Sequence, residues 1–458
     1  MVDDRGVSHP GTAVPVVGDE VRLRVGAVAH GGHCIARVGE QGLVVFVRHA
    51  LPEELVTARI TELGGGGRFL RADAVEVHEP SPDRVAPPCP FAGPGRCGGC
   101  DWQHADLAAQ RRLKAQVVTE QLVRLGGLDP DDLGPVVCEP LPGDQDGLRW
   151  RTRVEVAISH RPGQPPVSGL RQHRSHRVVP VDDCRIAHPG VLATGGFADP
   201  AALVSGAPVP DHRVTSLDLV SPAVGEPVAV PLALPAPRHG RRQDGRGRGG
   251  RGGAPRPRPV GAVPQVTERV HDQDFTLSAR GFWQVHPGAA TTFTDQVLDW
   301  LRPRPGERAL DLYAGVGLFA VPLAQAVGER GAVLAVESDR EAVAAAGEHL
   351  RAYPWAEAVA EQTATVLDGL VEQREDIDVV VLDPPRTGAG APVMTALAAL
   401  APRAVVYVAC DPAALARDLA TASELGLRLA GLRVLDAFPM THHVECLALL
   451  VPDVAQDR

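Results

Sequence analysis

Lysine is almost missing from this chain: Lys114 is the only one among 46 basic residues. The positive charge is therefore arginine, a bias that fits a GC-rich genome and by itself marks no function. No run of about 18 apolar residues occurs, which argues against a membrane-spanning helix. The opening residues, MVDDRGVSHPGTAVPVVGDE, are acidic at once and lack a continuous apolar segment, against a secretory signal. A cytoplasmic protein with no membrane role is expected. An excess of positive charge is lacking too: the formal balance of −10 gives no global sign of a nucleic-acid binder. Eight cysteines in a reducing compartment are a poor disulfide framework, which turns attention to metal binding or catalysis.

What is present is room and local charge. A chain of 458 residues accommodates roughly two to four domains. Its 44% hydrophobic content is that of a globular protein. Arginines cluster in RWRTR (149–153), in RQHRSHR (171–177) and in the tract 238–258.

Residues 14–80 hold short alternating segments, such as Val21-Leu23-Val25 and Leu43-Val45-Val47, joined by glycine turns. That pattern predicts a small β-barrel. A cysteine-rich loop follows, CPFAGPGRCGGC (89–100), and then a helix over 103–125 with Leu107, Leu113, Val117, Leu122 and Leu125 on one stripe. Residues 148–235 are strand-like and loop-rich. RHGRRQDGRGRGGRGGAPRPRP (238–259) cannot bury a core, so an insertion at about 236–262 is expected to be disordered. Its arginines serve either as non-specific phosphate contacts or merely as a solvated linker. Beyond about 271, strands and helices alternate, which predicts a parallel, doubly wound sheet. The expected division is 14–80, 81–270 and 271–458.

Four stretches carry chemistry. DLYAGVGLFA (311–320) places Gly315 and Gly317 between a strand and a helix, where a ligand approaches the backbone closely. With acidic Glu337 at the next strand end, it also fits a dinucleotide fingerprint, so an NAD-dependent oxidoreductase is a rival. Asp311 favours an adenosine ligand with a cationic centre, such as S-adenosylmethionine. VVVLDPPRTGAG (379–390) aims the Asp383 carboxylate from a stiff loop, or is only a rigid turn. VVYVACDPAALARD (405–418) sets Cys410 at a strand-to-helix turn, either as a small buried residue or as a nucleophile. FPMTHHVECLALL (438–450) offers Glu445 as its base, for attack on C6 of a pyrimidine and proton removal from C5. Cys89, Cys97 and Cys100, with distant Cys184, suit zinc or an iron–sulfur cluster alike. Cys34, Cys138 and Cys446 lack partners and are expected to be structural.

Together these motifs resemble the RNA uracil-5-methyltransferases, over most of the chain. The resemblance implies an α/β protein: a Rossmann-like methyltransferase domain, an N-terminal TRAM barrel that binds RNA, and a central α+β domain bearing a [4Fe-4S] cluster on Cys89, Cys97, Cys100 and Cys184. FWQVHPGAA is similar to the family's F-x-Q-V-N segment, which adds Gln284 as a cofactor contact beside Tyr313, Glu337 and Asp383. Cys410 matches the family nucleophile and Glu445 the base. The iron–sulfur pattern points to ribosomal RNA ahead of transfer RNA. Departures are His286 and Asp411, where the family has asparagine, and Leu318, where many members have a cofactor-binding asparagine. A non-catalytic RNA-binding protein on the same fold is the other rival.

Overall fold

The computed structural model describes residues 14–39, 42–235 and 256–453. Its largest sheet has eight strands, in the order Ala356–Ala360, Ala332–Glu337, Arg308–Leu312, Val379–Leu382, Ala404–Ala409, Glu445–Pro452, Leu427–Asp436 and Cys138–Pro140. The first five run parallel, and Glu445–Pro452 runs antiparallel between Ala404–Ala409 and Leu427–Asp436. Helices cover both faces, so central strands are unbroken apolar runs instead of alternating ones. Val379 and Val381 point into one core, while Val380 and Leu382 point into the other.

The chain leaves strand Arg308–Leu312 towards one edge, then returns to lay Val379–Leu382 on its other side. This reversal opens a crevice at the carboxyl ends of those strands, where open α/β sheets bind ligands. The last strand of the sheet is not from this half of the chain. Cys138–Pro140 pairs parallel to Leu427–Asp436, with Cys138 opposite Val434.

The N-terminal part is a six-stranded sheet, in the order Glu20–Arg24, Leu55–Gly64, Phe69–Glu79, Leu43–Arg48, His33–Val38, Val28–Ala29. Contact between Glu20–Arg24 and His33–Val38 curls it around one core, as the alternating pattern predicts. The helix expected over 103–125 spans Leu107–Arg124, because Asp106 caps it by accepting the Ala109 amide at 2.9 Å. It serves two cores at once: Leu113 and Val117 pack into the barrel, Ala115, Val118 and Leu122 into the large sheet.

A second six-stranded sheet, antiparallel throughout, lies between: Val178–Pro180, Val167–Arg171, Arg153–Ser159, Val214–Val220, Val228–Ala233, Arg258–Pro259. Residues 236–255 of the expected insertion lie outside the described residues. Its end is ordered, contrary to expectation, because Arg258–Pro259 finds an open sheet edge to pair with, at Leu232 and Ala233. The hairpin Gln265–Val270 and Gln273–Ser278 straddles the expected boundary at 270. Cys34, Cys138 and Cys446 are buried. Among the described residues, no helix is long and apolar enough to cross a membrane.

Candidate active site

Parallel register carries three functional positions to one edge of the large sheet. Leu312 is level with Leu382, and Leu382 with Tyr407, so Tyr313, Asp383 and the turn at Cys410 all emerge there. The antiparallel neighbour completes the set. Its last pair is Ala409 with Cys446, and one step further Cys410 faces Glu445. The structure thus juxtaposes the thiol and carboxylate that sequence reasoning paired.

Their surroundings are dry and acidic. Burial chiefly, then Glu445 and Asp383, push the Cys410 thiol up to about 12, with Arg386 opposing. Glu445 is itself held well above the carboxylate range by burial and by Asp383, again against Arg386. Burial raises Asp383 to about 7. An arriving positive charge would ease all three ionisations, since an opposite charge nearby favours the charged form.

The cofactor crevice adds further carboxylates. Asp311 is buried with neither oxygen in a formed hydrogen bond. Burial holds its pKa well up; the amides of Ala320 and Phe319 oppose this, while Asp383 and Glu337 add to it. Glu337 ties two loops together: Oε2 accepts the Gly315 amide at 3.1 Å, and Oε1 accepts those of Ser338 and Asp339 at 2.7 and 2.9 Å. Tyr313, Gly315 and Gly317 all have positive φ, at 62, 54 and 88°, so the loop folds back sharply and leaves the crevice open. This lining suits a sulfonium and repels a pyrophosphate.

Gln284 is buried in the turn entering helix Ala289–Leu301, which packs on the strand that ends at Cys410. His286 stacks on Trp150 at 6.0 Å and accepts the Gly288 amide at 3.1 Å. Burial lowers its pKa to about 4, so the ring is neutral there. Leu318 lies in the apolar core.

The four cysteines also converge. Burial raises Cys97 to about 11, with Cys184 and Cys89 contributing, and the Cys100 thiol feels the other three. Each of two sulfurs already accepts a bond, Cys97 from the Gly99 amide and Cys100 from Gln103 Nε2, both at 3.4 Å. Yet among the described residues no three His, Cys, Asp or Glu side chains close tightly enough to hold a metal ion.

Several residues here were not singled out from the sequence. Arg386 was visible in the DPPR loop, and is a cation that acts on Cys410 and Glu445 together. The loop leading to Glu445 is clamped from far away. Lys114 Nζ donates to Asp436 Oδ1 at 2.5 Å and to Phe438 O at 3.0 Å. Gln110 accepts the Met440 amide at 2.9 Å, and Asp101 Oδ2 lies 2.6 Å from His442 Nδ1. No local sequence signal marks such contacts.

Comparison with known proteins follows this geometry. A sequence model of the tRNA (uracil-5-)-methyltransferase family matches residues 266–452, and one of the TRAM domain matches 16–75. An uncharacterized RNA methyltransferase of Streptomyces coelicolor is 46% identical, covering 99% of this chain and 97% of that protein. The 23S rRNA (uracil(1939)-C(5))-methyltransferase RlmD of Pseudomonas aeruginosa is 34% identical, over 96% of this chain and 95% of its own. The chain belongs to the RNA uracil-5-methyltransferase family. As a member of this S-adenosylmethionine-dependent family it is no NAD-dependent oxidoreductase, so that rival falls. A solved member shares the fold over most of the chain. The Pyrococcus abyssi tRNA (uracil-54, C5)-methyltransferase, solved with S-adenosyl-L-homocysteine, superposes with a TM-score of 0.66 at 21% identity, covering 94% of this chain and 99% of that one.

Proposed function

We propose that this protein methylates C5 of a uridine in 23S ribosomal RNA, with Cys410 as nucleophile and Glu445 as base. The observation that supports it is their juxtaposition across adjacent antiparallel strands, within a crevice lined by Asp311, Glu337 and Asp383. S-adenosylmethionine supplies an electrophilic methyl group on a sulfonium. Cys410, as thiolate, adds to C6 of the uracil, and electron density moves to C5, which takes the methyl group. Glu445 then accepts the C5 proton, the C5–C6 double bond re-forms, and the Cys410 thiolate leaves. Asp383 orients the base, and Arg386 favours the ionised forms of Cys410 and Glu445. Gln284, Tyr313, Gly315 and Gly317 are the remaining cofactor contacts.

The target must be unstacked to reach this crevice, at a cost of a few kcal/mol. Barrel residues 14–80 and the arginines of 171–177 are placed to bind the surrounding RNA. The central segment, 81–270, holds a [4Fe-4S] cluster on Cys89, Cys97, Cys100 and Cys184, which positions RNA or supports the fold; the methyl transfer needs no electron. Ribosomal RNA is favoured because the RlmD relatives match at 32–34% identity over nearly the full length. The reaction is placed in the cytoplasm.

The test is incubation with methyl-labelled S-adenosylmethionine and unmodified 23S rRNA or tRNA, followed by nucleoside analysis. Label should appear as 5-methyluridine in 23S rRNA. Cys410→Ala should abolish it, and Glu445→Gln should accumulate a covalent protein–RNA adduct, since attack proceeds without proton removal. Label confined to tRNA would overturn the substrate, and an unaffected Cys410→Ala would leave a protein with no covalent mechanism.

A further inference from the structure

The turn that carries Cys410 is touched from outside its own sheet. In the barrel, strands Val28–Ala29 and His33–Val38 are joined by residues 30–32, and this turn reaches Asp411, the residue after Cys410. His30 Nε2 lies 3.1 Å from Asp411 Oδ2. The other oxygen of Asp411 accepts the Ala414 amide at 2.8 Å and caps the helix Pro412–Glu424. Both carboxylate oxygens are therefore engaged. Burial works to raise the Asp411 pKa, but the bonds from His30 and Ala414 outweigh it and hold the carboxyl below its ordinary range.

Two more contacts fasten the barrel turn. Gly32 O accepts Trp102 Nε1 at 3.1 Å. A Cβ on Gly32 would stand 2.6 Å from the His442 Cβ, and its φ is +78°, so glycine alone allows the approach. The turn is wedged between the nucleophile and the loop of the base.

Charge gives this contact a purpose. The groups that act on Cys410 are Glu445 from the neighbouring strand, Asp383 and Arg386 from the DPPR loop, and Asp411 beside it. Three of the four are acidic, and a bare carboxylate next to the thiol opposes its ionisation. We infer that His30 is a positioning residue for the methylation, holding Asp411 on its helix-capping side and screening its charge from Cys410. The ionisation of the nucleophile is thereby tied to the seating of the barrel. This rests on Cys410 being the nucleophile, yet it is read out without RNA.

The test uses full-length protein. Iodoacetamide labelling of Cys410, followed peptide by peptide with mass spectrometry, reports the thiolate fraction. His30→Ala should slow labelling roughly three- to tenfold at a given pH. His30→Gln keeps a donor and should recover most of the rate. In an Asp411→Asn background, His30→Ala should have no further effect, because no charge remains to screen. Labelling that is unchanged or faster in His30→Ala, or slowed equally in the Asp411→Asn background, would overturn the inference. Absence of 5-methyluridine with wild-type protein would instead overturn the functional proposal.

Discussion

At Asp383 the site works against the fold. Burial lifts this carboxyl to about 7, whereas an unfolded aspartate ionises near 3.9. Between about pH 4 and 7 the folded chain therefore binds more protons than the unfolded one, and stability falls as pH rises through that window. Asp383→Asn removes the conflict. The variant should gain on the order of 1–2 kcal/mol at neutral pH and show a shallower fall of Tm from pH 4 to 7 by calorimetry. It should lose methyl transfer at the same time, the usual exchange of stability against a working site. A wild-type slope would show that Asp383 is not disfavoured as a carboxylate. At this scale the sequence was informative, since Cys410, Glu445 and Asp383 each stand at a strand end beside a recognisable motif. Arg386 stood in the open in the same loop, but a lone arginine there carries no sign of which groups it acts on.

Helix Leu107–Arg124 holds the loop that leads to Glu445, through Lys114 and Gln110. The only lysine of the chain lies fully buried on it, bonded to Asp436, 322 residues away, and Arg111 reaches the same carboxylate at 3.2 Å. Removing one partner of a buried pair strands the other, typically at a cost of about 3–5 kcal/mol. Arg111 remains for Asp436, so Lys114→Met should cost about 2–4 kcal/mol, measured by urea unfolding. Adding Asp436→Asn to it should recover part of the loss, because no uncompensated carboxylate is then buried. A variant as stable as wild type would show that the clamp is not needed. The helix itself was legible from its apolar stripe, but its start was not, because the cap at Asp106 was not read and the helix begins at Leu107 instead of 103. Its partners were not, because a contact spanning hundreds of residues leaves no mark on local periodicity. Strand Cys138–Pro140 escaped for a simpler reason: three residues are too few to show a pattern.

At the scale of the whole molecule, the proposed cluster would tie the loop at 89–100 to Cys184 elsewhere in the central segment. Four thiols with amide and carboxamide neighbours are the donor set that such a cluster would need. Anaerobically purified protein should contain about four iron and four sulfide per chain. Cys184→Ser should lose most of that iron and unfold at a lower temperature, with both read on the same preparation. Stoichiometric zinc, or a variant with full iron, would refute the assignment. The barrel and the doubly wound sheet were foreseeable, because each leaves its own pattern along the chain. How they share strands and helices was not.

The pairing of Cys138 with Val434 has a consequence for how the chain is made. Ribosomes add roughly 5–20 residues per second, so the strand Cys138–Pro140 emerges some 15–60 seconds before the strand it must join. Through that interval the earlier half of the protein waits with an edge it cannot close, and the catalytic sheet is sealed only when nearly the last residues have arrived. Birth of the enzyme is all or nothing: a ribosome that stops early releases a chain with neither a finished sheet nor Glu445.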